Sequence, residues 1–388
     1  MTITTRWDEN TASRQVAYGK HATEREANVI TTEDGQMLTT VGLDLGDKTI
    51  QACFVDHHGE IVEESRLKAT EAALRRRFSG EPRYRMVLEA GLHSPWISRL
   101  LESLGHEVYV ANPRRLRAIY ENENKSDRVD AEYLARIGRL DPALLYPLRH
   151  RSLEVQADLA VLRSRAALVR ARATLVNHAR GAVKSIGGRL PRCETRYVAE
   201  RAALHLPPEL VPALSPILSA IAELTARIAG YDKEIERMAK ERYPETELLR
   251  QVPGVGAITA TTFVLTVEDP ARFPRARAMG SYLGLRPRRA ESGSQNPQLH
   301  ITKAGDKQLR SLLVECAHHI LGHLGPDTDL KRWGLKLAEC GGKAAKKRAA
   351  IAVARKLSVL LLRLWVTGEI YEPLRNSRAP GNTPVLDT

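Results

Sequence analysis

The chain has 388 residues, enough for two or three domains, and 43% of them are hydrophobic, enough for a substantial core. With 59 lysines and arginines against 46 acids the net charge is +13, which indicates a polyanionic partner, with nucleic acid ahead of a membrane surface. The four cysteines form no CxxC pair, which argues against a zinc knuckle or disulfide framework and fits a reducing cytoplasm. No signal pattern opens the chain, and no apolar run approaches membrane-spanning length.

Residues 1–38 are polar and aperiodic, and they predict a disordered tail. Residues 39–147 alternate between strand and helix patterns and predict an α/β domain that opens with a three-stranded meander. Asp44 lies on the first strand, opposite its apolar face, and glycines two residues away on either side leave room for a ligand. Glu89 ends a later buried strand, at the edge where open α/β sheets place their ligands. An exposed acid near a strand end is the plain alternative for Asp44.

Two carboxylates, Asp127 and Asp130, stand three residues apart at the start of an apolar helical pattern. Positions i and i+3 lie on one helix face, so the two carboxylates point the same way and repel each other. A divalent cation removes that repulsion, because Mg²⁺ prefers carboxylate oxygens. An acidic first turn favoured by the helix dipole, with Ser126 or Asp127 as the cap, explains the same residues without a metal. The polar segment 121–125 before it predicts a loop.

Residues 148–244 predict an antiparallel helical hairpin or coiled coil, broken at Gly187-Gly188, with the second helix from about Pro216 to Arg242. The polar faces of the first helix are dominated by basic residues: Arg163, Arg165, Arg170, Arg172, Arg180 and Lys184. Such a surface binds phosphates, whereas the alternative is a merely solvated helix face.

Residues 245–374 predict a mostly helical region, with helices at 301–324 and from Lys343 to Trp365 and a tail at 375–388. The segment Val252-Pro253-Gly254-Val255-Gly256 resembles a helix-hairpin-helix motif, in which Gly254 and Gly256 expose N–H groups that hold a phosphate. A plain helix–turn–helix packing element fits it equally well. A basic loop comes next with Arg286, Arg288, Arg289 and the serines Ser292 and Ser294, where positive charge stabilises an alkoxide.

Together these motifs resemble the DEDD-type insertion-sequence transposases, which are recombinases guided by a bridge RNA. The resemblance runs from about Val41 to Leu374. Its N-terminal matches are Gly42-Leu43-Asp44-Leu45-Gly46, Leu88-Glu89-Ala90-Gly91, Ala111-Asn112-Pro113 and Lys125-Ser126-Asp127-Arg128-Val129-Asp130-Ala131. Its C-terminal matches are the Gly254 hairpin, Ser292-Gly293 and Ile301-Thr302-Lys303-Ala304-Gly305-Asp306. Each motif is short, but their order and spacing together are specific.

The resemblance implies an RNase H-like (RuvC-like) domain in which Asp44, Glu89, Asp127 and Asp130 bind Mg²⁺ or Mn²⁺. It implies that Ser292 in the C-terminal domain attacks a DNA phosphodiester, with Ser294 as a rival, and that the acids assist from a partner subunit. It further implies donor and target DNA, an element-encoded guide RNA, a dimer or tetramer, no membrane, and a nucleoid-associated place in a prokaryotic cytoplasm.

Two other classes stay open. One is a RuvC-like junction-resolving nuclease that uses only the four acids, and the other is a non-catalytic nucleic-acid-binding protein descended from such an enzyme. A simple resolvase has no use for the long stretch from Leu148 to Leu374, and a non-catalytic descendant has no need to keep all four acids.

Overall fold

The computed structural model describes residues 38–80, 82–116, 126–290, 292, 297, 299–339 and 341–376, with the backbone alone at Lys343. The loop predicted at 121–125, Ser294 and nearly all of both predicted tails lie outside these residues. The chain divides into two compact units, one ending at Arg151 and the other beginning at Ser152.

A five-stranded mixed sheet forms the centre of the first unit. Its strands are β1 (Thr40–Leu45), β2 (Thr49–Val55), β3 (Ile61–Lys68), β4 (Arg85–Glu89) and β5 (Glu107–Ala111). They lie in the order β3-β2-β1-β4-β5, where β2 is antiparallel to β1 and β3, and β4 is parallel to β1 and β5. The predicted mixed α/β architecture and its opening meander are confirmed.

Helices cover both faces of this sheet. They are α1 (Glu71–Phe78), α2 (Ser94–Ser103), the short α3 (Pro113–Leu116) and α4 (Asp127–Leu140). On one face Val41 and Leu43 of β1 pack with apolar side chains of α1 and α2. On the other face α4 packs through Ala131 and Ala135 against small and branched residues of β2. Because successive strand residues alternate between faces, Asp44 belongs to the face that α4 covers.

The second unit is helical in its described residues, apart from a short β-bridge between Pro287 and Ile301. Its helices are α5 (Leu153–Ser185), α6 (Val198–Ala203), α7 (Val211–Arg242), α8 (Glu245–Arg250), α9 (Ala257–Val267), α10 (Ala278–Tyr282), α11 (Lys307–Leu321), α12 (Asp329–Glu339) and α13 (Gly342–Thr367).

The helices α5 and α7 form the predicted antiparallel hairpin, because Leu162 near the start of α5 packs with Ile235 near the end of α7. Ser152 caps α5 by accepting the Val155 N–H at 3.2 Å. At the base of the α5–α7 hairpin, the buried Asp158 of α5 accepts hydrogen bonds from Arg242 at 2.5 Å and from the Tyr243 hydroxyl at 2.6 Å. Burial and this bonded carboxylate raise the pKa of Tyr243, so the phenol stays protonated.

The core of the second unit surrounds α9, in which every residue from Thr259 to Val267 is buried. Phe263 of α9 packs with side chains of α11 and α13 in the largest apolar cluster of this unit. A helix that is apolar on every side fits only where other helices enclose it. Leu265 of α9 also packs with Leu162 of α5 and Ile235 of α7, so the hairpin packs directly on α9.

Several helix limits differ from the prediction. The helix expected from residue 301 begins at Lys307, capped by Asp306, because residues 300–303 pair back onto 284–288 instead. α7 begins at Val211 and contains Pro216, which costs that helix one backbone hydrogen bond near its start. The helix α12 was not predicted.

The sequence predicted no apolar run close to the length of a membrane span, and by length and composition alone this prediction was wrong. Among the described residues, the helical stretch 208–242 is long and apolar enough to cross a membrane. This is weak evidence, and the structure pairs the helix with α5 along an apolar seam.

Candidate active site

Asp44 and Glu89 lie at the carboxyl ends of two neighbouring parallel strands. β1 and β4 pair in register from Thr40–Arg85 to Leu43–Leu88, and the next residue of each strand is one of the two acids. Paired strands lie about 4.8 Å apart, so the two acids are adjacent in the sheet. Both are partly buried.

The helix α4 brings the other two acids to the same end of the sheet. A Cβ built on Gly138 would lie 3.5 Å from Thr40, whereas one built on Gly42 would lie 1.9 Å from the Ala131 carbonyl oxygen. The helix therefore runs antiparallel to β1, with its first turn toward the end that carries Asp44. Asp127 and Asp130 occupy that first turn.

The N-terminus of α4 is defined by a cap and an ion pair. Ser126, one of the two predicted caps, accepts the Val129 N–H at 3.3 Å. Between the two acids, Arg128 makes a double contact with Glu64 of β3, at 2.6 and 2.5 Å. Such an exposed pair adds little stability, but it connects the first turn of α4 to β3.

These four acids have suitable donor atoms for a metal ion, but their side chains do not form a metal-binding cluster in the structure. Four carboxylates with no cysteine among them supply the hard oxygen ligands that Mg²⁺ or Mn²⁺ prefers. Within the part of the chain that the structure describes, however, no group of three or more His, Cys, Asp or Glu side chains lies close enough to hold a metal ion. The backbone brings the four residues to one end of the sheet without closing their carboxylates into a cluster, so the metal site stays a prediction.

Ser292 is exposed beyond a short two-stranded stem in the second unit. The Arg288 N–H donates to His300 O at 2.9 Å, and the Thr302 N–H donates to Arg286 O at 2.9 Å. Arg288 and Arg289 are both exposed on this stem.

The base of the stem is held by an arginine from α11. Arg310 Nη1 donates to the carbonyl oxygen of Leu283 at 3.0 Å and to that of Ala304 at 2.9 Å. The two segments approach each other closely at Gly284, which must be a glycine because a Cβ there would lie 2.2 Å from Ala304 backbone atoms. The arginine thus joins the two strands that carry the serine loop.

Comparisons with known proteins find two family models and several curated relatives that match this chain. A family model described as a transposase, of the DEDD type of IS110, matches residues 41–187, and the model for the IS116/IS110/IS902 transposase family matches residues 246–330. The chain is 28% identical to the transposase of insertion sequence IS1111A of Coxiella burnetii, over 85% of this chain and 90% of that one. It is 29% identical to a probable family 20 transposase of Pseudomonas aeruginosa, over 87% and 99%.

The chain belongs to the DEDD transposases of insertion sequences. It is therefore an enzyme that cleaves and rejoins DNA. A pilin gene-inverting protein of Moraxella lacunata is also similar, at 24% identity over 82% of this chain and 93% of that protein. The two family models cover the acids and the serine loop respectively.

The basic residues predicted on the hairpin of the transposase fall into two groups. Arg165 is tied to Asp232 at 2.8 Å, Arg163 reaches Asp306 at 3.5 Å, and Arg172 donates to Thr225 at 3.1 Å. Burial and the neighbouring Arg165 lower the pKa of Arg172. The second group is exposed and suits phosphates better, because no ion pair or hydrogen bond to its side chains is seen among the described residues; it comprises Arg170, Arg180 and Lys184.

The glycine hairpin of the transposase connects α8 and α9, a position that fits either the helix-hairpin-helix motif or the plain helix–turn–helix element. Gly254 has a φ of +86°, which favours glycine, and Gly256 precedes the first turn of α9. Both line an open groove of 480 Å³ that also includes His319 and Arg250. Arg250 is engaged by Glu236 and Glu247 at 2.7 and 2.9 Å, so its charge is already balanced within the chain.

Sequence reasoning missed the histidines beside Glu89. His93 lies 3.5 Å from Asp47 in the β1–β2 turn and accepts the indole N–H of Trp96 at 3.1 Å. Ser94 Oγ bonds the Gly91 backbone and His150 Nε2, each at 2.9 Å. These contacts fix the turn after Glu89. The available signal was a histidine four residues after an acid at a strand end.

Proposed function

We propose that this transposase cuts and rejoins DNA through Ser292 as nucleophile, with Asp44, Glu89, Asp127 and Asp130 assisting through a bound divalent metal. The observation that carries the proposal is the meeting of β1, β4 and the first turn of α4, each bearing acids, at one end of the sheet. The strand order β3-β2-β1-β4-β5, with β2 antiparallel, supports an RNase H-like domain. The proposal also includes a helix-hairpin-helix role for the glycine hairpin, whose N–H groups hold a phosphate. An RNA encoded by the element guides the protein to its DNA.

In the cleavage step the Oγ of Ser292 gives its proton to water and attacks a phosphorus atom of the DNA backbone. A phosphoserine bond forms, the bond from phosphorus to one deoxyribose oxygen breaks, and the leaving oxygen takes up a proton. Rejoining reverses these steps with a new deoxyribose hydroxyl, so no external energy source is needed. Arg288 and Arg289 face the phosphate charge from the stem. Asp44, Glu89, Asp127 and Asp130 would hold a divalent ion, which would supply further positive charge against the transferring phosphoryl group.

The test of the nucleophile is a covalent adduct. Wild-type protein incubated with labelled junction DNA should give a protein–DNA band that survives denaturing electrophoresis. Ser292→Ala should abolish that band while leaving DNA binding intact, because the hydroxyl acts only in the chemical step. Ser281→Ala, at an exposed serine of α10, is the matched control and should behave as wild type. An adduct that persists in Ser292→Ala and vanishes in Ser294→Ala moves the nucleophile by two residues.

The test of the acids uses isosteric amides. Asp127→Asn and Asp130→Asn remove charge from a helix turn without removing a core contact, so cleavage should be lost while the melting temperature stays within a few degrees. Cleavage that survives in either variant reduces the pair to an acidic first turn. Cleavage without any adduct in wild type, lost in Asp127→Asn, favours the junction-resolving nuclease instead.

The guide is tested by binding. The RNA transcribed from the element's flanking sequence should bind more tightly than a shuffled RNA of equal length and than random duplex DNA. Arg170→Gln with Arg180→Gln should weaken that binding more at low salt than at high salt, since phosphate contacts release counterions. Equal affinity for both RNAs refutes the guide.

A further inference from the structure

The last helix of the chain carries an unusual concentration of positive charge. α13 spans 26 residues with seven lysines and arginines and no aspartate or glutamate. Its buried face, which includes Ala349, Val353 and Leu357, packs into the core of the second unit. The cations at Lys346, Lys347, Arg348, Arg355 and Lys356 are exposed. The basic residues are therefore carried by an anchored helix with a fixed orientation.

These cations differ in whether the chain itself balances them. Arg363 pairs with Glu369 at 2.9 Å, and the Lys356 ammonium lies 4.4 Å from the centre of the Trp333 ring. For Arg348 and Arg355, in contrast, no carboxylate of the described residues lies within 4 Å. The two are seven residues apart, so they project from the same side of α13, about 10 Å apart along the axis.

Arg355 is also held in place. Its side chain lies against Gly280 of α10, where an added Cβ would be 2.9 Å from Cγ and 3.1 Å from Nε of the arginine. The carbonyl oxygen of Gly280 in turn accepts the Leu285 N–H at 2.9 Å, at the base of the serine-loop stem. A long side chain loses conformational freedom when it is confined in this way. With no counterion in the described chain, a bound anion is the natural compensation.

We propose that Arg348 and Arg355 form a binding surface for the phosphate backbone of duplex DNA, next to the serine-loop stem. The choice of DNA rests on the proposed function, in which Ser292 attacks a DNA phosphodiester. A duplex backbone fits better than an unpaired strand because this side of α13 offers no free aromatic ring for base stacking among the described residues. Trp333 is covered by Lys356, and Trp365 packs against Phe263.

The experiment measures the anisotropy of a labelled junction duplex against salt concentration, with the full-length protein. Each lost phosphate contact lowers the slope of log K against log salt by about 0.9, so Arg355→Gln and Arg348→Gln should each lower it by about one and their combination by about two. Arg363→Gln is the matched control, because Glu369 already neutralises that arginine, and its slope should equal that of wild type. Melting curves confirm that each variant is folded.

Gly280→Ala supplies a second, independent variant. It should displace Arg355 and lower the slope as Arg355→Gln does, with no further decrease when both changes are combined. An unchanged slope in Arg355→Gln, an equal decrease in Arg363→Gln, or a loss confined to a single-stranded RNA probe overturns the proposal. Binding is measured without cleavage and should be the same in Ser292→Ala. A failure of the nucleophile assay therefore leaves this result standing, and the reverse also holds.

Discussion

Replacing Gly42 by alanine should lift α4 from the sheet and separate its two acids from the other two. The added Cβ would lie 1.9 Å from the carbonyl oxygen of Ala131 and 2.6 Å from the amide nitrogen of Ala135. Both atoms belong to the helix backbone, so no side-chain rotation relieves the contact. To reach even 3.0 Å from the oxygen, the helix must move by 1.1 Å (3.0 minus 1.9).

The cost arises from the packing that this movement loses. Overpacking a core costs about 1–3 kcal/mol, and a gap of about 1 Å forfeits a quarter to a half of each dispersion contact along the helix. We therefore expect about 3 kcal/mol of local destabilisation, at the upper end of that range, because both clashing atoms are backbone. Gly138→Ala should cost less, about 1–2 kcal/mol, since its Cβ would meet a side-chain methyl group of Val87 rather than helix backbone.

Hydrogen exchange measured by mass spectrometry on peptides of α4 suits this test, because a chain of two units has no single unfolding free energy. About 3 kcal/mol corresponds to roughly 100-fold faster exchange of the α4 amides, and Gly138→Ala should give roughly 10-fold. Gly91→Ala is the matched control, since nothing lies within 4 Å of its Cβ. If the α4 amides of Gly42→Ala exchange as slowly as those of wild type, the inferred close approach of α4 to β1 is wrong. DNA cleavage should be highest in Gly91→Ala, lower in Gly138→Ala and lowest in Gly42→Ala.

Two further predictions concern the stem and the turn after Glu89. Arg310→Met removes two hydrogen bonds from a charged donor and should cost about 3 kcal/mol. The loss should appear as faster hydrogen exchange in residues 283–288 and as lower DNA cleavage. Arg310→Lys should restore part of both, and Arg275→Met, at an exposed arginine, should have no effect. Burial and the charges of Arg99 and Arg151 lower the pKa of His150 below its ordinary 6.5, so the folded state prefers the neutral ring. The contribution of the neutral ring to stability is therefore lost as pH falls below about 6.5. Between pH 7 and pH 5.5 the melting temperature of His150→Gln should decrease by less than that of wild type. An equal decrease in both proteins contradicts the assignment.

The α/β unit was readable from sequence because its signals are local. Alternation along β1, the Gly46-Asp47 turn and the Gly105 just after α2 each act within a few residues. The positions of the acids on their elements were predicted for the same reason, since each stands at a strand end or in a first helical turn. What the sequence did not contain is the contact of Gly42 with Ala131, which joins residues almost ninety positions apart.

The second unit was harder because its decisive contacts are long-range. Residues 300–303 fit the helical pattern of the residues after them, yet they pair with the strand at 284–288, so the predicted helix start was wrong by six residues. The partners of Arg310 and Arg355 are carbonyls and a glycine of other elements, which no spacing rule reports. The arginines singled out on α5 show the opposite case, where a basic pattern concealed internal ion pairs at Arg163 and Arg165.

The acids belong to the first unit and Ser292 to the second, so a complete site can be built from two subunits. We predict that it is, and that mixing Ser292→Ala protein with Asp127→Asn protein restores cleavage that neither has alone. In a symmetric dimer that exchanges freely, half of the assemblies are mixed and one of their two sites is intact, which gives roughly a quarter of wild-type cleavage. Co-purification of two variants that carry different affinity tags is the control for subunit exchange, because it reports exchange whichever way the site is built. If exchange is shown and the first mixture stays inactive, the serine and the acids act within one chain.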